Sequence, residues 1–296
     1  MQEIRGAIDA GGTNVRLRVF EVETGKILVD QTVPAEPHGG PAPALLLLET
    51  SGVAPTALVA GITKFTRPGV ASAWRRALNA YSLTLVPDYE IAFWAAVPDG
   101  VGISVLAGTG SVVFGRNTEG NTLRVGGRGW EYGDEGSGTH LTTDLVRRTL
   151  RALDGLERLS PLQFAVCELL GTNDPGELVQ AARDKADADG RGFLVPLVLE
   201  RAQAGEGEAE DLFVGAAGWL ATYAGATLNR LGFTHEDAVE VRGIGGLWSA
   251  GELLTEPFQR VLARRYPAAS FALSEAEPLE GAVRLACRGT TEALNS

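Results

Sequence analysis

Lysine is nearly absent from this chain: of 26 basic residues only Lys26, Lys64 and Lys185 are lysine, a bias we read as genomic rather than functional. Acidic residues number 37, the formal net charge is -11 at pH 7, and no basic tract interrupts the acidic excess. Nucleic acids and anionic membranes demand a dense positive footprint, so neither is an expected partner. Cysteine is equally scarce. Cys167 and Cys287 are far apart and neither has a short-range cysteine neighbour. That excludes a cysteine-rich zinc or iron–sulfur site within one chain and suggests a reducing compartment. No stretch approaches the roughly 18 uninterrupted apolar residues of a membrane span. The start "MQEIRGAIDAGG" also lacks the charged-then-apolar pattern of an export signal, so the expectation is a cytoplasmic protein.

Familiar nucleotide and hydrolase signatures are missing too. No lysine follows a glycine run suited to G-x-x-x-x-G-K-[ST], and "GIGGLW" (243–248) lacks the third glycine of G-x-G-x-x-G. There is no G-x-S-x-G elbow. "KADADGRGFLVP" (185–196) imitates a calcium loop, but Lys185 stands where the first carboxylate belongs and Pro196 where the closing glutamate belongs, so it reads as a solvated turn. His38, His140 and His235 are scattered and receive no role.

What remains is an ordinary globular composition, 45% hydrophobic and 21% charged, in 296 residues. That length is large for one core and points to two domains or a duplicated unit. Alternation predicts a strand at 15–22, and strands are also expected at 3–10, at 57–63, which reads as buried, and either side of a tight turn in 101–116, with helices between several of them. Residues 137–231 read as mostly helical, with Leu212, Ala216, Trp219, Tyr223 and Leu231 stacked as a core stripe. "AVEVRGIGG" reads as the last strand and "EGAVRLACRG" as a closing helix. Strands alternating with helices define an α/β protein, and the change of texture near 105–115 marks where two lobes divide.

Two segments look alike: "IDAGGTNVRLRVF" (8–20) and "VLAGTGSVVFGR" (105–116). Each is a strand ending in Gly and Thr, a tight turn and an outgoing strand. Such turns let backbone N–H groups approach an anion with no Cβ in the way. A third segment, "VGGRGWEYGDEGSGTH" (125–140), wraps glycines around the adjacent acids Asp134 and Glu135. Asp88 follows Pro87, where an aspartate commonly caps a helix.

These motifs, with "VPDYEIAFWAAVPDG", "GIGGLW" and "PLEGAVRLA", resemble in order and spacing the N-acetylglucosamine kinase-like proteins. That group overlaps the BadF/BadG/BcrA/BcrD ATPase family of the actin, hsp70 and sugar-kinase superfamily. The resemblance spans about 6–288. It implies two actin-like (ribonuclease H-like) lobes with a duplicated sheet-and-helix core and an interlobe ATP cleft. The first lobe would take 1–107 and the second 108–280. A helical insertion at about 145–235 is expected in the second lobe, and a closing helix at about 281–296 would pack back on the first.

The resemblance also assigns roles. Asp9 with Gly11, Gly12 and Thr13 would form the first phosphate loop, Asp9 holding Mg2+ through water. Gly108, Thr109, Gly110 and Ser111 would form the second, and Gly245, Gly246 and Leu247 the adenosine loop. Asp88 would take the proton from the attacking sugar hydroxyl. Gly127, Asp134 and Glu135 would line the acceptor site, since carboxylates accept strong hydrogen bonds from hydroxyls. The implied activity is ATP-dependent phosphorylation of an amino sugar, N-acetylglucosamine or glucosamine, by a family that commonly forms homodimers. Tyr89 and Glu90 stand where small residues usually follow the catalytic aspartate, and Arg128 where tryptophan is usual. Lys64, Arg67 and Arg128 would favour an acidic or otherwise modified sugar. Two further readings stay open on the same residues: an ATPase that activates a radical dehydratase, and a non-catalytic nucleotide- or sugar-binding regulator.

Overall fold

A computed structural model describes residues 2–36 and 38–288, and these form two compact units. The first comprises 2–101, 118–122 and 274–288; the second comprises 102–117 and 123–273.

In the first unit β1 (Ile4–Ala10), β2 (Asn14–Glu21), β3 (Ile27–Pro34), β4 (Ala57–Ile62) and β5 (Ser82–Pro87) form one sheet in the order β3-β2-β1-β4-β5. β1 runs antiparallel to β2 and parallel to β4, and β4 is parallel to β5. The near-continuous apolar run of β4, "ALVAGI", is the mark of a central strand covered on both faces. Its side chains alternate accordingly. Leu58 and Ala60 join Ile8 and Leu17 under α1 (Ala42–Ser51) and α2 (Val70–Ala77). Val59 joins Ala7 and Val86 on the other face, beneath α3 (Asp88–Ala96) and the closing helix.

The second unit repeats that plan. β6 (Gly102–Ala107), β7 (Ser111–Arg116), β8 (Thr122–Gly126), β9 (Glu240–Ile244) and β10 (Ser270–Leu273) lie in the order β10-β9-β6-β7-β8. β6 is antiparallel to β7 and parallel to β9, which is parallel to β10. Strand for strand this is the first sheet again, as the paired glycine hairpins imply. Between β8 and β9 come α4 (Gly138–Leu153), α5 (Pro161–Leu170), α6 (Pro175–Asp189), α7 (Val195–Gln203) and the long α8 (Gly207–Arg230). After β9 a 3-10 turn (Gly246–Ala250) leads to α9 (Glu252–Ala263). One apolar core joins β6 and β7 to these helices.

The closing helix, α10 (Pro278–Arg288), belongs to the first unit. It crosses α3 at backbone contact: a Cβ on Gly281 would fall 1.8 Å from the Ile91 carbonyl oxygen and 2.6 Å from the Ala95 nitrogen. The Arg284 guanidinium donates to the carbonyls of Trp94 and Ala95 at 2.9 and 2.6 Å, and Arg288 to that of Pro98 at 2.8 Å. Cations on the carbonyl end of α3 satisfy groups that the helix itself leaves unpaired.

Three expectations need correction. β8 and β10 do not stand out in the sequence, and β9 is not the last strand; both are short sheet edges without a fully buried face, so period-two patterning is weak. The α8 stripe is not all core: Leu212, Ala216 and Leu231 are buried, Trp219 is 44% exposed and Tyr223 is half-buried. Residues 185–189 close α6 rather than forming a turn; the turn lies at 190–194.

Candidate functional site

In the first unit β1 delivers Asp9 one residue before the hairpin, opposite Arg16 on β2 and beside Gly61 on β4. The Gly11 N–H donates to the Asn14 carbonyl at 3.0 Å, which closes the turn. Gly12 and Thr13 stand exposed, and a Cβ on Gly12 would meet nothing within 4 Å. Burial pushes the Asp9 carboxyl up to about 6; Arg16 opposes that shift, while the neighbouring Asp88 and Glu277 reinforce it. Arg16 in turn pairs with Glu277 at 3.1 Å.

Asp88 sits in the first turn of α3, where Pro87 takes the cap position. Its carboxylate accepts from the Tyr89 N–H at 2.9 Å and from the Thr63 hydroxyl. Burial nevertheless raises its pKa, against those hydrogen bonds. Two residues on, burial alone lifts Glu90 to about 7. The structure therefore brings Asp9 and Asp88 together at the ends of β1 and β5. Thr63 is an addition that sequence motifs do not flag, and Glu90, noted in the sequence only as a departure beside Asp88, joins it as a buried acid.

In the second unit the β6–β7 hairpin is laced to the acid turn. The Gly108 N–H donates across the turn to Gly110 at 2.9 Å. Asp134 adopts a left-handed backbone (φ 58°), which aims its carboxylate at the hairpin. There it accepts from the backbone N–H groups of Gly129 and Ser111, yet burial leaves its pKa raised. Ser111 Oγ donates to the Glu135 carbonyl at 2.7 Å, and the Tyr223 phenol donates to the Glu135 carboxylate. Gly127 lies against β7, where a Cβ would press on Val112 at 2.9 Å.

α4 begins just beyond the acids. Ser137 caps it, accepting from the His140 N–H at 3.1 Å. The N–H groups of Gly138 and Thr139 donate to the carbonyls of Gly108 and Thr109 at 2.8 and 3.2 Å, and the Thr139 hydroxyl adds a bond to Thr109 at 2.6 Å. The N-terminal end of a 16-residue helix is thus fixed beside the hairpin, its first N–H groups taken up by the hairpin carbonyls and by Ser137. Gly245 turns beneath the same hairpin with φ 103°, and a Cβ there would lie 2.5 Å from the Ala107 carbonyl. A cavity of about 250 Å³ opens between Gly108, Thr109, Gly138, Val195, Gly246 and Leu247. All the residues expected in the second phosphate loop, the adenosine loop and the acceptor turn therefore meet within this unit. Tyr223 and Thr139 were not expected there.

Two five-stranded sheets of the same strand order, each carrying a glycine hairpin, define an actin-like α/β fold. The chain belongs to the BadF/BadG/BcrA/BcrD ATPase family, whose profile matches residues 7–286. It is 29% identical over 187 residues to an N-acetyl-D-glucosamine kinase from Dictyostelium discoideum, across 62% of this chain and 59% of that protein. It is 33% identical over 97 residues to an N-acetylmuramic acid/N-acetylglucosamine kinase from Clostridium acetobutylicum, across 33% and 32% of the two. The matches thus cover about three-fifths and one-third of those relatives' lengths. Among solved structures, a Chromobacterium violaceum protein to which N-acetylglucosamine kinase activity is ascribed superposes with a TM-score of 0.74 at 24% identity, over 97% of this chain and 99% of that one. A ROK family glucokinase from Streptomyces griseus, in complex with glucose and AMPPNP, gives 0.55 at 17% identity over 95% and 97%. At those identities the likeness is one of fold. Family membership implies use of ATP. Among the described residues, no helix is long and apolar enough to cross a membrane.

Proposed function

We propose that the protein is an ATP-dependent kinase transferring the γ-phosphate to a hydroxyl of an amino sugar, N-acetylglucosamine or glucosamine. The observation that carries this reading is the Asp88 carboxylate, fixed by Thr63 and the Tyr89 N–H and raised above the ordinary carboxylate range by burial. A raised pKa moves a general base nearer to neutral pH, where it can accept the hydroxyl proton as the phosphoryl group departs. Phosphoryl transfer has a loose transition state, so alignment and charge neutralisation do most of the work.

In this reading the hairpins at Gly11–Thr13 and Gly108–Ser111 hold the phosphates through backbone N–H groups, and residues 245–247 line the adenosine pocket. Gly127, Asp134 and Glu135 hold the sugar hydroxyls. Asp9 suits Mg2+ through water: its buried charge, next to Asp88 and Glu277, lacks a full counter-charge, and a hard cation would supply one. No cluster of three or more His, Cys, Asp or Glu able to hold a metal occurs among the described residues. Bound Mg2+ would neutralise phosphate charge.

Asp88→Asn tests the assignment. Turnover should fall by about 10²- to 10⁴-fold while ATP affinity, read by calorimetry, is retained. Undiminished turnover would remove Asp88 from the chemistry.

A further inference from the structure

We infer that the groove between α4 and α6 is a second ligand site, taking a small organic anion with a flat apolar body. The groove encloses about 550 Å³, within the range of small-molecule sites. Arg147 on α4, Arg183 on α6 and Arg191, just beyond α6, all line it. Three guanidiniums against one carboxylate, Asp187, make a positive pocket in a chain whose net charge is -11.

The arginines are available for a ligand. Among the described residues neither Arg147 nor Arg183 has an ion-pairing carboxylate, whereas Arg148, next on α4, is paired with Asp144 at 2.7 Å. Arg191 lies over the ring of Trp130, 3.9 Å from its centroid, and that indole is itself 50% exposed. Val146, Leu150 and Phe193 make the remaining wall apolar. Thr142, also on the wall, is 3% exposed, and its hydroxyl has no hydrogen-bond partner among the described residues.

The chemistry selects the ligand class. A guanidinium matches the two oxygens of a carboxylate or sulfonate and stacks on flat rings. A bare inorganic anion would leave the apolar wall wet, and an uncharged ring would leave the guanidiniums unused. The site is distinct from the phosphate hairpin but adjoins it, because Thr139 lines the groove and bonds Thr109. The proposal does not depend on the kinase reading.

The test is a fluorescence titration of the full chain with 8-anilinonaphthalene-1-sulfonate in saturating ATP. Saturable binding at one site is expected, weakened at least tenfold in Arg147→Ala/Arg183→Ala. The uncharged N-phenyl-1-naphthylamine should bind the natural chain at least tenfold more weakly. Thermal melts establish that the variant is folded; if it is not, Arg183→Glu alone, on the exposed face of α6, should weaken the sulfonate by the same order. Absence of saturable binding, equal affinity in natural and variant chains, or displacement of the probe by ATP would each overturn the site.

Discussion

The Tyr223 phenol donates a hydrogen bond to the Glu135 carboxylate, tying the middle of α8 to the acid turn. Burial, and then that bond, raise the tyrosine's pKa, so it stays a donor at neutral pH. The Glu135 carbonyl is held separately by Ser111 Oγ. Glu135 is therefore fixed at both its backbone and its side chain.

Tyr223→Phe keeps the ring and removes only the donor. We expect the acceptor KM to rise about five- to tenfold, corresponding to about 1 kcal/mol for one hydrogen bond. ATP affinity should stay within twofold. Steady-state kinetics with each substrate varied in turn check this; equal losses for both substrates would point to a general loss of packing instead.

Asp9 gives a pH signature in stability. Its carboxyl rises from 3.8 to about 6 on folding, so the fold binds this proton more tightly than the unfolded chain does. The stabilising contribution is complete below the unfolded value and is lost as pH rises through about 6. Above that, the buried charge costs up to about 3 kcal/mol. Melting curves in chelator should show Asp9→Asn gaining on the natural chain from pH 4 to pH 7, whereas a pH-independent difference would contradict the assigned burial.

Gly281→Ala places a methyl group 1.8 Å from the Ile91 carbonyl, closer than any contact can be. α10 must shift off α3, at a cost of about 2 kcal/mol or more in chemical denaturation. An unchanged denaturation midpoint would show that the two helices do not pack at backbone contact.

Much of this arrangement was legible because its signals are local. The hairpins at Gly11–Thr13 and Gly108–Ser111 announce themselves through glycine turn chemistry, and the acids at 134–135 through the glycines around them. Tyr223 reads as core in the sequence because its spacing along α8 is that of a buried stripe; its partner lies 88 residues away, and only the folded chain pairs them. Thr63 was hidden for the same reason, since its link to Asp88 depends on β4 lying beside β5. The edge strands β8 and β10 escaped notice because an edge needs no buried face to advertise it.

Acceptor-stimulated ADP release tests the central claim most directly. With ATP and Mg2+, the natural chain should release ADP several-fold faster when N-acetylglucosamine or glucosamine is added. N-acetylmuramic acid belongs in the same series to probe the effect of Lys64, Arg67 and Arg128. Asp88→Asn should show no such stimulation. ADP release that no hexose, amino sugar or sugar acid increases would contradict the assignment as a sugar kinase.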